Sequence, residues 1–391
     1  MARHRSPLRG TTAAASKYPP IPAGPIKVGI SVPLSGATAA FGTATKQAFE
    51  NVTLKTFNAA HPDGIDGHPV QLDILDDASD VTKAVAVANQ FVSDKDAAVI
   101  TASYNPAAVP QQLAVLNKAK VPALIQVGQD MYNDPSKWPY LFGMGSNDML
   151  AGQALAAYIG KHPEYKKLAV LTDGSEAQVE IQNDLLTALK TSAPGASVVK
   201  SVTITPGSVD VSTAIAQLKS ANPDFLLVNV GYGYGPIWQA MKTANWSPKF
   251  YTYASAFYDG YSGMGALADI AVTVTTNCST PGHAPFPKVL TDPMDGYASV
   301  FGTTSVNYIL FYTSDNAPLE LLKLAVEKYH STDPDAIKQA IENLGPIKLG
   351  GVIDYDFSAT NHFGQTGVYG TNVCTVSNFA DGAYRLPVVA S

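Results

Sequence analysis

The sequence predicts an α/β protein of two lobes, each a doubly wound parallel sheet. From residue 26 onward, short apolar runs of strand length alternate with amphipathic helical segments. Two such series follow one another along the chain. Its 391 residues also exceed what one ordinary hydrophobic core encloses.

Ile26, Val28, Ile30 and Val32 mark the first strand, and Phe41, Ala44, Ala48 and Val52 recur behind it at helical spacing. Val70, Leu72 and Ile74 form the second strand. A helix over 81–93 turns Ala84, Val85, Ala88 and Phe91 inward, with Asp80 as its cap. Strands at 97–101 and 121–127 flank a helix at 109–119. The second series opens near Asp148, with helices at 151–160, 177–189, 211–221 and 236–244 between strands at 168–172, 198–204, 225–230 and 250–254. A strand at 270–275, helices at 308–329 and 334–344, and a terminal hairpin turning at Asp381-Gly382 complete the chain.

Composition narrows the function. Apolar residues make up 46% and charged residues 15%, enough to build cores and too ordered a balance for a disordered chain. The net charge is −6, and the arginines are Arg3, Arg5, Arg9 and Arg385 alone. No basic stripe for nucleic-acid phosphates is present. No apolar run reaches the ~18–20 residues of a membrane span. Residues 1–24 read as an unstructured segment: basic at first, then proline-rich, without the apolar stretch of a secretory signal. Cys278 and Cys374 lack the paired spacing of a zinc site; one disulfide and two free thiols both fit them.

Catalytic patterns are missing: there is no HExxH, Walker loop or GxSxG. No cofactor or metal is therefore expected. Asp76, Asp77 and Asp80 read as a strand end and helix cap rather than a metal cluster. In open α/β sheets ligands sit at the carboxyl ends of strands. Those ends fall at 33–42, 76–80, 103–106 and 128–132 in the first series, and at 172–176, 231–235 and 255–261 in the second. Tyr232, Tyr234, Tyr251, Tyr253, Phe257, Tyr258 and Tyr261 gather at two neighbouring strand ends and suggest a ligand wall, since tyrosine combines an apolar face with a polar tip.

The segment from Ile26 to Gly36, with Phe41-Gly42 following, resembles the first strand and loop of the leucine/isoleucine/valine-binding family of type I periplasmic solute-binding proteins. Asn58 with Gly64-Ile65-Asp66-Gly67-His68-Pro69-Val70 is similar to a second family segment, with Asp63 in place of a glycine. Asp76-Asp77-Ala78-Ser79-Asp80, the helix after it, Val121-Pro122, Phe142 and the Asp148/Gly152 pair continue in family order.

The resemblance implies two lobes joined by a three-segment hinge, with lobe one at 25–145 plus 277–348 and lobe two at 146–276 plus 349–391. It implies a non-enzymatic, extracytoplasmic solute-binding protein of an ABC importer, acting as a monomer and delivering a small solute to permease subunits. Family contacts carried over by position fall on Phe41, Asn105, Val127 and Gln129, with Tyr104 beside them, and in lobe two on Tyr232 and Ser255. Tyr234, Tyr253 and Asp259 complete the expected site. Ser255 stands where the family holds an acid against the ligand ammonium, and the nearest acid is Asp259. The solute expected is an amino acid or an aromatic or other organic acid. A ligand-sensing regulator of the same fold is the alternative.

Overall fold

The computed structural model describes residues 17–36, 39–101, 105, 107–125, 128–144, 148–231, 233–252, 261–275, 307–349, 353–364, 372–375 and 388–389. Two sheets organise them. In the first, β1 (Ile26–Val32) lies between β2 (Val70–Asp76) and β3 (Ala98–Thr101), and β4 (Ala123–Ile125) and β5 (Leu141–Gly143) continue the sheet, all parallel, in the order β2-β1-β3-β4-β5.

The second sheet repeats this winding. β7 (Ser197–Thr203), β6 (Lys167–Thr172), β8 (Phe225–Asn229), β9 (Lys249–Thr252) and β10 (Ala271–Thr275) run parallel in the order β7-β6-β8-β9-β10. After a separate antiparallel pair, β11 (Ile347–Leu349) and β12 (Ile353–Tyr355), two antiparallel strands, β13 (Asn372–Thr375) and β14 (Val388–Val389), extend it beyond β10. The hairpin turn expected at Asp381-Gly382 lies outside the described residues. In both sheets strand order reverses beside the first strand of the series, and the crevice at such a reversal is where these folds bind ligands.

The central strands are buried on both faces because helices cover both. Leu168, Ala169, Val170 and Leu171 of β6 are fully buried, and β1 buries Val28, Ile30 and Val32 on one face and Ser31 on the other. Helix α3 (Val81–Asp94) lays Ala84, Val87, Ala88 and Phe91 on the first sheet, and Asp80 caps it by accepting from Lys83 N at 2.9 Å. Val85, expected inward, sits at the edge of that face, because 84, 87, 88 and 91 make a truer helical stripe. Phe91 packs so closely on β1 that a Cβ on Gly29 would stand 2.6 Å from its ring.

Helix α1 (Ala39–Ala48) passes through a π-helical turn, Phe49–Thr53, into α2 (Leu54–Ala60). The extra residue of that turn lets Phe49, Val52, Thr53 and Phe57 all face the core. Helix α4 (Ala108–Lys118) covers the other side of the sheet with Val109, Leu113 and Leu116. In the second lobe α5 (Asp148–Lys161) and α6 (Glu176–Ser192) pack together on one face of the sheet, and α7 (Ser212–Ser220) and α8 (Tyr234–Thr243) lie on the other.

The chain passes between the lobes three times. It leaves the first sheet after β5 and enters α5. After β10 it returns, and the helix Asn307–Tyr329 packs on α1 and α2. Residues 353–364 then dock on the first lobe: Gly143 N donates to His362 O at 3.0 Å, Tyr355 Oη to Met144 O at 2.8 Å, and His362 N to Asn133 Oδ1 at 3.0 Å. The sequence placed this stretch with the second lobe; its only local signal is a short polar turn, and its docking depends on contacts distant in the chain. The last passage comes before β13.

Candidate functional site

In lobe one the loops after the strands are tied together by carboxylates. Asp76, the last residue of β2, accepts from Leu34 N at 2.7 Å, Ser35 N at 3.2 Å, Ser35 Oγ at 2.7 Å and Ala78 N at 2.8 Å. Burial pushes its pKa up, but the Ser35 hydroxyl and the Ala78, Leu34 and Ser35 N–H groups outweigh it and hold the carboxyl below its ordinary value. Asp77 is fully buried and accepts from Ser31 Oγ at 2.8 Å and Ser79 N at 2.9 Å. With Asp80 as a cap, this acidic run is loop scaffolding, as its spacing suggested. Gly42 completes the loop: a Cβ there would stand 2.0 Å from the Pro33 carbonyl oxygen.

Asn105 is half-buried and bridges two of these loops. Its Nδ2 donates to Ser79 O, and its Oδ1 accepts from Ala107 N at 2.9 Å. Gln129 is half-buried at the strand end after β4, and its carbonyl accepts from Tyr132 N at 3.1 Å.

In lobe two Asp173 follows β6 and is 6% exposed. Its Oδ1 accepts from Ser175 N at 3.0 Å and Ser175 Oγ at 2.7 Å, while Oδ2 accepts from Gly231 N at 2.8 Å. One carboxylate thereby fixes the entry to α6 and the loop after β8. Asn229, at the end of β8, donates from Nδ2 to the Gln178 carbonyl at 2.6 Å and locks the first turn of α6 to the sheet. Tyr234 is fully buried: its hydroxyl donates to Val230 O, and its ring stacks on Trp238 with centroids 5.7 Å apart. It belongs to the core rather than to a ligand wall. Gly233, at φ +80°, begins α8 two residues earlier than the sequence pattern indicated and turns Tyr234 inward.

The two lobes meet where the segment after β4 reaches α6. Met131 N donates to Glu180 Oε1 at 2.8 Å, and the carboxylates of Asp130, Glu180 and Asp184 offer oxygens within 4.8 Å of one another. Burial, then the Asp130 and Asp184 charges, raise the Glu180 pKa against the lowering effect of the Met131 N–H. Asp184 is raised by burial and by Asp130. Among the described residues, no other three acidic, histidine or cysteine side chains come this close.

Phe41 lies on α1, and Cys374 on β13 is registered opposite Thr273 and Val389. Tyr104, Val127, Tyr232, Tyr253, Ser255, Asp259 and Cys278 lie outside the described residues. Of the expected contacts, Asn105 and Gln129 are therefore seen at strand ends of one lobe. Asp173 and Asn229 each stand where an apolar run gives way to a polar residue, a signal available in the sequence; Gln178, inside an amphipathic helix, carried none.

Two doubly wound lobes, three connections and strand-end loops that meet between them define a two-lobed ligand-binding class. The chain belongs to the periplasmic binding protein family, whose model matches residues 25–377. It is 25% identical over 346 residues to Leu/Ile/Val-binding protein homolog 1 of Brucella suis, covering 85% of this chain and 86% of that one. Homolog 3 of Brucella melitensis is 28% identical over 207 residues, and there the match spans 52% of the relative.

Three solved structures share the type I fold. A periplasmic binding protein type 1 from Bordetella pertussis aligns with TM-score 0.78 at 20% identity, over 93% of this chain and 100% of the other. The LivJ substrate-binding protein of Streptococcus pneumoniae, in complex with isoleucine, gives 0.70 at 19%, over 94% and 99%. A Rhodopseudomonas palustris solute-binding protein in complex with benzoate gives 0.73 at 17%, over 94% and 98%. This family binds solutes and is not enzymatic.

Proposed function

We propose that the chain is the extracytoplasmic solute-binding subunit of an ABC importer, closing its lobes on one small organic solute and presenting it, as a monomer, to permease subunits. The observation that carries this is the hydrogen bond from Met131, in the segment after β4, to Glu180 near the start of α6, which brings the carboxyl-end side of one sheet against the helix that follows β6 of the other. Similar folds holding isoleucine and benzoate support an amino acid or an aromatic or organic acid as the solute. The lobe boundaries are expected near residues 145, 277 and 349, and the hydrogen bonds of residues 355 and 362 to Met144, Gly143 and Asn133 support moving the third to between 364 and 372.

Thermal unfolding against a panel of amino acids, aromatic acids and other small solutes tests the proposal. A solute at about 100 times its Kd stabilises by roughly 2.7 kcal/mol. Small-angle scattering with that solute should show a more compact particle. A panel in which nothing stabilises the protein or compacts it sinks the importer assignment.

A further inference from the structure

We propose that the carboxylates of Asp130, Glu180 and Asp184 form a proton-operated latch between the lobes, closing over the solute in mild acid and loosening as pH rises. The inference rests on the solute-binding function proposed above and names a control over the closure of that same cleft.

The three groups straddle the interface. Asp130 belongs to the lobe-one segment Asp130–Tyr132, whereas Glu180 and Asp184 lie four residues apart on α6 of lobe two. That spacing sets them on one face of the helix. The three carboxylates offer oxygens within 4.8 Å of one another, and Met131 N, beside Asp130, donates to Glu180 Oε1 at 2.8 Å. The contact is on the ligand side of both units, because the segment follows the carboxyl end of β4 and α6 follows the carboxyl end of β6. It is made as the lobes approach over a solute and parted as they separate.

Charge sets the direction. Asp130 and Asp184 act on Glu180, and Asp130 acts on Asp184, each pushing its neighbour toward the protonated form. Helix α5, packed along α6, brings Asp148 at its first position and Lys161 in its last turn, and Lys190 is likewise in the last turn of α6. The lysines of both helices therefore stand at the ends away from the cluster. Glu176 opens α6 with one more acid. Asp134, further along the lobe-one segment, is held by Ser136 N, Ser136 Oγ and Lys137 N, and Asp173 by Ser175 and Gly231.

With all three groups ionised, Asp130 on one lobe repels Glu180 and Asp184 on the other. A shared proton turns a repelling pair into a donor and an acceptor. Asp184 Oδ2, enclosed and without a hydrogen-bond partner, is an acceptor that such a donor satisfies. The joined lobes thus hold protons more tightly than the separated lobes. Joining is fully supported below the ordinary carboxylate range and loses that support as pH climbs through the raised values. The coupling is reciprocal: a solute that needs joined lobes takes up protons as it binds, and its affinity falls as pH rises.

Small-angle scattering of the full chain without solute, at pH 5 and pH 8, tests the latch. The parent should be more compact at pH 5. The double variant Glu180→Gln/Asp184→Asn keeps an acceptor for Met131 N–H, removes both charges and should be compact at both pH values. Asp130→Asn, acting from the other lobe, should also shrink the difference; circular dichroism checks that each variant is folded. Calorimetry with leucine and benzamide, whose own charge is constant between pH 5 and pH 8, reads the function. The Kd should rise at least about fivefold from pH 5 to pH 8 in the parent and stay level in the double variant. A parent of equal size at both pH values overturns the inference, as does a pH response that persists unchanged in the variants. If the particle responds as expected while no solute of the whole panel binds, the latch stands and the importer proposal falls. If a solute binds with the same affinity at both pH values, the latch falls and the importer proposal stands.

Discussion

The backbone N–H of Met131 donates to the Glu180 carboxylate at 2.8 Å, so one hydrogen bond joins the segment after β4 of the first lobe to α6 of the second. It does so amid like charge, with the Asp130 and Asp184 carboxylates close by. The raised pKa of Glu180 and Asp184 means that the folded chain binds their protons more tightly than the unfolded chain does. The stability this contributes is fullest in acid and is lost as pH rises from the ordinary carboxylate range through the raised folded values. Glu180→Gln keeps an acceptor for Met131 N–H and removes a charge. Its urea stability at pH 8 should equal or exceed that of the parent, and its fall between pH 5 and 8 should be shallower. An identical fall in parent and variant would exclude the effect.

Asp96 makes a sharper case. It is 5% exposed, and neither carboxylate oxygen has a hydrogen-bond partner. Burial first, then the Asp73 and Asp94 charges, raise its pKa to about 7, with Lys27 pulling the other way. Between the unfolded value near 4 and about 7 the folded state holds a proton that the unfolded state has released, so stability falls across that window. Each unit is worth about 1.4 kcal/mol, and partial access to solvent lowers the total. Asp96→Asn should therefore stabilise the protein by about 1–3 kcal/mol at pH 8 and by much less at pH 5. Denaturant titrations at both pH values decide it; a gain that is equal at both would point to packing instead.

Gly42→Ala should destabilise lobe one and weaken ligand binding together. Its Cβ would stand 2.0 Å from the Pro33 carbonyl oxygen and 2.4 Å from the Pro33 carbonyl carbon, both backbone atoms that cannot swing aside. The loop after β1 must move, at a cost of about 1–3 kcal/mol typical of overpacking. Thermal unfolding should show a single lowered transition or an early one from lobe one. A variant with the parent's melting temperature would mean that the loop shifts freely.

The strands were legible because their signal is strong: runs such as Leu168–Leu171 and Phe225–Val228 are apolar at every position and buried at every position. The loop carboxylates were partly legible, since Asp76, Asp77 and Asp80 follow a strand and precede a helix. Tyr234 was not, because the run of alternating glycines and tyrosines reads as a loop until the positive φ of Gly233 is known. Gln178 was not, because in an amphipathic helix a buried glutamine looks like any polar residue of the outer face. The docking of residues 353–364 was not legible, because their partners, Asn133, Gly143 and Met144, lie more than two hundred positions earlier.

Asp173 offers the test that separates the shape of the site from the stability of the lobe. Its carboxylate receives Ser175 N, Ser175 Oγ and Gly231 N, and so couples the entry of α6 to the loop after β8. Asp173→Ala leaves those donors unpaired in a buried place, a cost of about 1–3 kcal/mol. Asp173→Asn keeps one acceptor oxygen and should fall between the two. Solute affinity should drop at least tenfold in the alanine variant, because the loops that face the ligand lose their shared anchor while the core of β6 and β8 is untouched. Calorimetric affinity measured beside thermal unfolding distinguishes the outcomes. Retained affinity in a destabilised Asp173→Ala would show that the loops are held by other contacts, and a loss of affinity restored in Asp173→Asn would assign the effect to the hydrogen bonds rather than to the charge.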